Sequence, residues 1–223
     1  MRKIKKGKKK IVFLIFILLI LIVAALIYLL AQLPIKNIYI QDNNIVSDQE
    51  IIDQAKLTSY PSFLTTTSYS IKKRVKELNF VKDVKIRKNL LLGIHIYITE
   101  YKPLFINNET NKIIFEKGLE TNNDNKEALP VLTTKIEDEN QYKKLIKKFA
   151  KVNDSVKEKI SEIIYQPTDY DKDRYMLLMN DKNYVCITLT KIENINKYDE
   201  MVTKFEGKNG ILYLDSGNYF EIK

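Results

Sequence analysis

From residue 11 to residue 31 the chain is apolar without a break (IVFLIFILLILIVAALIYLLA), and beyond Pro34 the pattern changes to short alternations. A charge-free run of about 20 residues is what a helix needs to cross a bilayer. Residues 11–31 are therefore predicted to form one transmembrane helix. A cleaved signal peptide has a shorter apolar core, about 7–15 residues, with small residues at its cleavage site. Leu29, Leu30, Ala31 and Gln32 lack that pattern, so the helix is expected to remain as an anchor. Proline cannot continue it, and Pro34 marks its end.

After Pro34, the β-branched stretch with Ile35, Ile38 and Ile40 predicts a strand, and Asp42-Asn43-Asn44 a turn. Ser47 followed by Glu50 has the form of a capping box, opening a short helix that buries Ile51, Ile52 and Ala55. Ile71, Val75 and Leu78 recur at helical spacing and predict a second helix, with Asn79 as its terminator. Val84 and Ile86, then Ile94, Ile96 and Ile98, alternate with polar residues, which is the period of two half-buried strands joined around 89–93. In the order strand, helix, helix, strand, strand, two helices can cover one face of a three-stranded sheet.

The second half is richer in strands, expected at 112–115, 163–165, 175–179, 184–189 and 211–214, with a hairpin turn at Asp181-Lys182-Asn183. A helix over 142–151 turns Leu145, Ile146 and Phe149 inward. Another is predicted over 192–205, with apolar residues at 192, 195, 198, 202 and 205 and Gly207 as its stop. Residues 116–127 read as a polar loop. At the end of the sequence given, Tyr213-Leu214-Asp215 and Tyr219-Phe220-Glu221-Ile222 form a hairpin around Ser216-Gly217-Asn218. The fold class is α+β: an N-terminal transmembrane helix, a β-α-α-β-β domain and a β-rich mixed domain.

Charge sharpens this picture. The formal net charge is +9, yet seven of the 37 basic residues lie in the first ten positions: Arg2, Lys3, Lys5, Lys6, Lys8, Lys9 and Lys10. With those seven set aside, 30 basic residues face 28 acidic ones. A nucleic-acid binder needs its positive charge on the folded surface, where it can neutralise phosphates, so no nucleic-acid partner is expected. Basic residues ahead of an apolar helix stay in the cytoplasm, which places the rest of the chain outside, away from cytoplasmic nucleotides.

Candidate chemistry is sparse. The chain has one cysteine, Cys186, and one histidine, His95. One of each builds neither an intramolecular disulfide nor a zinc site. Cys186 lies between Val185 and Ile187 and reads as a strand residue of the core; His95 falls opposite the isoleucines, on the solvent side of its strand. No G-x-S-x-G elbow, P-loop or G-x-G-x-x-G occurs. Asp169, Asp171 and Asp173 lack the glycine and distal glutamate of a calcium loop and read as a solvated cluster. The lysines of KKLIKK (143–148) read as the wet side of one helix. No enzyme activity, cofactor, metal or small-molecule substrate is expected.

The first folded segment resembles a POTRA domain of the FtsQ/DivIB cell division family. Val46-Ser47-Asp48-Gln49-Glu50-Ile51 matches that family's opening of its first helix, and Phe80 to Arg87 matches its alternating strand. Glu100-Tyr101-Lys102-Pro103 matches its exit, with Asn43-Asn44 where Gly-Asn is common. The Leu129-Pro130-Val131-Leu132 segment is similar to a "Leu-Pro-x-Leu" stretch of the same family, whose final strands often carry "Asp-Leu-Arg"; here Asp215 is present without the arginine. Added to the cytoplasmic basic tail over 1–10 and the membrane helix over 11–31, the resemblance implies a POTRA domain over 34–105 and a β-rich partner-binding domain over 106–223. It further implies a non-enzymatic scaffold at the division septum, with partners resembling FtsL and FtsB/DivIC, that regulates septal peptidoglycan synthesis. A partner strand would add to the C-terminal edge, with Asn218, Tyr219, Phe220, Glu221 and Ile222, and Tyr213 on the adjoining strand, as its binding residues. The alternatives are a membrane-anchored binder of cell-wall polymer and an unrecognised hydrolase.

Overall fold

A computed structural model describes residues 6–123 and 128–223. Arg2, Lys3 and Lys5 of the basic tail, and residues 124–127 of the polar loop, lie outside the described residues. The chain divides into two units, residues 1–100 and 101–223.

The first unit opens with helix α1, Lys6–Ala31. Residues 6–10, assigned to a tail by their charge, are thus helical. The stretch Lys10–Ala31 has 22 residues, about 33 Å at 1.5 Å per residue, against a hydrocarbon core of about 30 Å. Its side chains from Ile11 to Leu30 are exposed and packed on nothing in the chain. A helix apolar all round is stable only with an apolar surrounding.

After it come β1 (Asn37–Gln41), α2 (Asp48–Ala55), α3 (Ser68–Val75), β2 (Val81–Lys88) and β3 (Gly93–Glu100). The sheet order is β1-β3-β2, with β1 parallel and β2 antiparallel to the central strand. Both helix starts are capped: the Ser47 hydroxyl accepts from the Glu50 N–H at 3.2 Å and the Thr67 hydroxyl from Ser70 at 3.1 Å. Ile51, Ala55, Ile71 and Val75 bury completely against Val84, Ile94 and Ile96. The helix α3 stops at Val75, one turn before the expected Asn79, and Leu78 packs on the core from the turn beyond.

The second unit is one nine-stranded sheet. In chain order its elements are β4 (Pro103–Asn107), β5 (Lys112–Phe115), β6 (Glu120–Asn122), β7 (Val131–Leu132), α4 (Glu139–Phe149), α5 (Asp154–Lys157), β8 (Ile160–Tyr165), β9 (Arg174–Met179), β10 (Tyr184–Thr188), α6 (Tyr198–Val202), β11 (Gly210–Tyr213) and β12 (Tyr219–Ile222). The sheet order is β12-β11-β10-β9-β8-β7-β4-β5-β6. Leu104 and Phe105, read from sequence as the end of the first domain, are buried in β4 and belong to this second core. The loop expected at 116–127 holds a 3₁₀ turn, Glu116–Gly118, and the strand β6.

The helix predicted over 192–205 is also corrected. Residues Leu189–Lys197 and Thr203–Phe205 are 3₁₀ turns on either side of the short α6. Leu189, Ile192, Ile195 and Tyr198 recur every three residues and all are buried. A 3₁₀ helix has three residues per turn and lines such a series along one side, whereas an α-helix would rotate it around the axis. This stretch is the crossover that parallel pairing of β10 with β11 demands, and it ends beneath the last two strands.

Candidate functional site

The strand β12 begins the sheet order, so among the described residues it has a neighbour on one side only. It pairs antiparallel with β11: Gly210 with Ile222, Ile211 with Glu221, Leu212 with Phe220 and Tyr213 with Tyr219. All six residues selected from the sequence lie on this hairpin, with Asn218 in the loop just before β12. The Lys223 N–H donates to the Asn209 carbonyl at 3.1 Å. Bonded and non-bonded pairs alternate in such a ladder. Glu221 and Tyr219 therefore bond inward to β11, while the main-chain groups of Phe220 and Ile222 point out from the edge.

Side chains divide the strand differently. Phe220 shares its face with buried Leu212 and stacks on Phe205, ring centroids 3.8 Å apart. Its partly buried ring packs against the core of this unit. On the opposite face Tyr213 stacks on Tyr219 at 4.6 Å, and the Tyr213 hydroxyl donates to Glu221 Oε2 at 3.0 Å. That hydrogen bond to a carboxylate raises the pKa of the tyrosine. Lys223 Nζ sits 4.5 Å from the centre of the Tyr184 ring on the neighbouring β10. Tyr219 and Ile222 are more than half exposed.

The hairpin is held by residues that the sequence did not single out. Arg174 on β9 donates from Nε to Asp215 Oδ2 at 2.7 Å, with both side chains largely buried. Burial pushes the Asp215 carboxyl up, but the hydrogen bonds from Arg174 and from the Ser216 N–H and hydroxyl outweigh it, holding the group below its ordinary value. Lys191 Nζ donates to the Asp215 carbonyl at 2.7 Å. At Gly210 there is no room for a side chain: a Cβ there would lie 2.0 Å from the Glu221 carbonyl oxygen and 2.9 Å from the Phe220 ring. A glycine at a strand start was the one available signal of such an approach. Asp215 takes its guanidinium from Arg174 on β9, two strands away from β11.

Elsewhere the residues screened for chemistry have structural surroundings. Cys186 is 2% exposed in β10, and burial pushes its thiol pKa up, away from the reactive thiolate. His95 stacks on Tyr39 at 4.6 Å on the solvent side of the first sheet. Lys144 pairs with Asp173, and Asp171 accepts from the Asp173 N–H at 2.8 Å. Among the described residues, no three His, Cys, Asp or Glu side chains gather where they could hold a metal ion.

Residues 33–101 match the family model described as POTRA domain, FtsQ-type. The cell division protein DivIB of Bacillus subtilis is 28% identical over 194 residues, 84% of this chain and 73% of the relative. DivIB of Listeria monocytogenes is 25% identical over 207 residues, 89% of this chain and 76% of the relative. The solved extracytoplasmic domain of DivIB from Geobacillus stearothermophilus aligns with 48% of this chain and 96% of its own, at 22% identity and a TM-score of 0.40.

Proposed function

The chain belongs to the FtsQ/DivIB cell division family, and from that premise we propose that it is a non-catalytic divisome scaffold that captures partner chains by β-strand addition at β12. The family supplies the cell division role. The single observation that supports the mechanism is the position of β12 at the border of the nine-stranded sheet, with the main-chain groups of Phe220 and Ile222 directed outward. An added strand would satisfy those groups, and its alternate side chains would meet Tyr219 and Glu221 on one face and Ile222 on the other. The anchor is α1, with the basic N-terminal residues in the cytoplasm and the two folded units outside. The partners are membrane proteins resembling FtsL and FtsB/DivIC, and their assembly regulates septal peptidoglycan synthesis.

The experiment is a pull-down from detergent-solubilised host membranes with the full chain and with the same chain lacking 216–223. Small coiled-coil membrane proteins captured by the first and not by the second support the proposal. Equal capture by both removes β12 from the mechanism.

One observation favours a second reading, binding of an anionic wall polymer. The outward face of the first sheet carries Tyr39, His95 and Tyr97 in a row, with Arg87 5.7 Å above the Tyr97 ring. Sedimentation with purified wall material in the absence of any protein partner, weakened by salt, would put this reading first.

A further inference from the structure

Two loops of the first unit are hydrogen-bonded to the six residues in which α1 ends and β1 is approached. The Ser62 hydroxyl donates to the Ala31 carbonyl in the last turn of α1. The Phe63 N–H donates to Leu33 at 2.8 Å, Ile35 to Pro61 at 3.0 Å and Lys36 to Leu92 at 2.9 Å. Loop 60–66 and the β2–β3 tip at 89–92 therefore lie beside the end of the apolar helix. The reach of the chain sets a limit independent of any side chain. Lys36 is five residues beyond Ala31, so it is at most about 17 Å from the helix end, and the headgroup layer accounts for about 5–7 Å of that.

These two loops hold the unit's most exposed leucines outside α1. Leu90 is fully exposed, Leu91 is 77% and Leu64 53% exposed, and Tyr60 and Leu33 are exposed beside them. The leucines are held out by built structure. Asn89 Oδ1 accepts from the Leu91 N–H at 3.0 Å and the Gly93 N–H at 2.8 Å, closing the tip. Lys88 Nζ donates to the Phe63 and Thr66 carbonyls and lies 4.5 Å from the centre of the Phe63 ring, fastening the tip to loop 60–66. Lys36, between the loops, is exposed. At the other end of the sheet the exposed apolar side chain is Ile45, at 38%. Clustered apolar side chains rimmed by polar groups mark a contact surface, and a tyrosine and a lysine beside leucines suit the water–lipid boundary.

We propose that this end of the POTRA domain is a lipid-contacting surface, in which Leu64, Leu90 and Leu91 enter the interfacial layer of the bilayer that α1 crosses. The proposal rests on the reading of α1 as a membrane span. With one anchor and one docked rim, the domain is held at a fixed tilt on the membrane instead of swinging on a tether, and β1 and β3 lead away from the lipid.

The test uses the full chain in vesicles of phosphatidylcholine and phosphatidylglycerol, carrying Leu90→Cys, Leu64→Cys or Ile45→Cys labelled with an environment-sensitive fluorophore. The buried Cys186 stays native, and the labelled parent chain gives its background. Nitroxide on the lipid acyl chains is expected to cause loss of emission at positions 90 and 64 and none at 45. Leu91→Glu, at an exposed site where folding is unaffected, is expected to restore emission from position 64, with an unchanged melting curve. Labels at 90 and 64 that behave like 45, in protein that floats with the vesicles, overturn the docking alone. Protein that does not float overturns the anchor reading and the docking with it. Quenching at 64 that survives Leu91→Glu, or protection that appears only when a partner protein is added, also overturns it.

Discussion

Phe220 lies flat on Phe205, with ring centroids 3.8 Å apart and planes within 4° of parallel. One ring comes from the edge strand and the other from the last 3₁₀ turn of the crossover, so the stack ties β12 to the core at its middle. Replacing Phe220 by Ala or Lys acts first on the strand's attachment and only through it on a partner. Phe220→Ala is expected to destabilise the C-terminal unit by about 2 kcal/mol, below the ~3–5 kcal/mol of a fully buried Phe because this ring is partly exposed. Hydrogen exchange is the direct check: the inward-bonded amides of Tyr219, Glu221 and Lys223 should lose protection before those of β9 and β10.

The outward and inward positions of β12 can be separated with proline, which removes one N–H. Ile222→Pro deletes a donor that points out from the edge and leaves the bonds to β11 in place. Glu221→Pro deletes an inward donor. The first is expected to abolish partner capture with little change in melting temperature, and the second to lower the melting temperature as well. A normal pull-down with Ile222→Pro would count against strand addition at this edge.

How far these positions could be read from the sequence depended on distance along the chain. The first unit was legible because Ile94, Ile96 and Ile98 alternate cleanly and Ile71 and Val75 sit one turn apart. The strand β4 was not, since Leu104, Phe105 and Ile106 are all buried, and a strand covered on both faces shows no alternation. Strands β6 and β7, of three and two residues, are too short to display a period. Leu189, Ile192, Ile195 and Tyr198 did carry a period, but spacing of three also fits one side of an α-helix over a turn or two. The hairpin that bears the candidate site is local and could be seen. The residues that hold it, Arg174, Lys191 and Phe205, come from other elements, and no local pattern links them to Asp215 or Phe220.

Gly210 lets β11 and β12 approach. Gly210→Ala would press a methyl group against the Glu221 carbonyl, which is main chain and cannot swing aside. The expected result is a loss of about 1–3 kcal/mol and premature exchange of the inward-bonded β12 amides, those of Tyr219 and Glu221. The POTRA unit should be untouched, which its own backbone NMR signals can verify.

The pairing of Arg174 with Asp215 makes the hairpin acid-sensitive. Asp215 has its carboxyl pKa depressed in the folded chain, so its contribution is fully present above the ordinary carboxylate value of about 3.9 and is lost as pH falls through the folded value. Asp215→Asn is expected to cost about 2 kcal/mol at neutral pH, as for other hydrogen bonds to charged groups. Urea unfolding of the two proteins should differ by this amount at pH 7 and begin to converge only as pH falls below about 4. A difference independent of pH would mean that the carboxylate charge contributes nothing.

In the first unit the corresponding lock is Glu100, at the end of β3. Its carboxylate accepts from three consecutive amides, Asn44 at 3.1 Å, Ile45 at 3.1 Å and Val46 at 2.9 Å. Those amides line the turn that leads into α2 and would otherwise lack acceptors, so one side chain closes the β1–α2 connection onto the far end of the sheet. It also explains why an acidic residue at the domain exit accompanies the turn near its entrance, 54 to 56 positions earlier in the chain. Glu100→Gln keeps one acceptor oxygen but loses the charge, and is expected to cost about 1 kcal/mol; Glu100→Ala leaves all three amides to water and should cost about 2 kcal/mol. The amides of 44–46 report directly: their exchange should quicken in the order Glu100, Gln, Ala while Ile94 and Ile96 stay protected. If Glu100→Ala melts with the parent chain and leaves those three amides slow, the turn holds itself and the carboxylate is incidental.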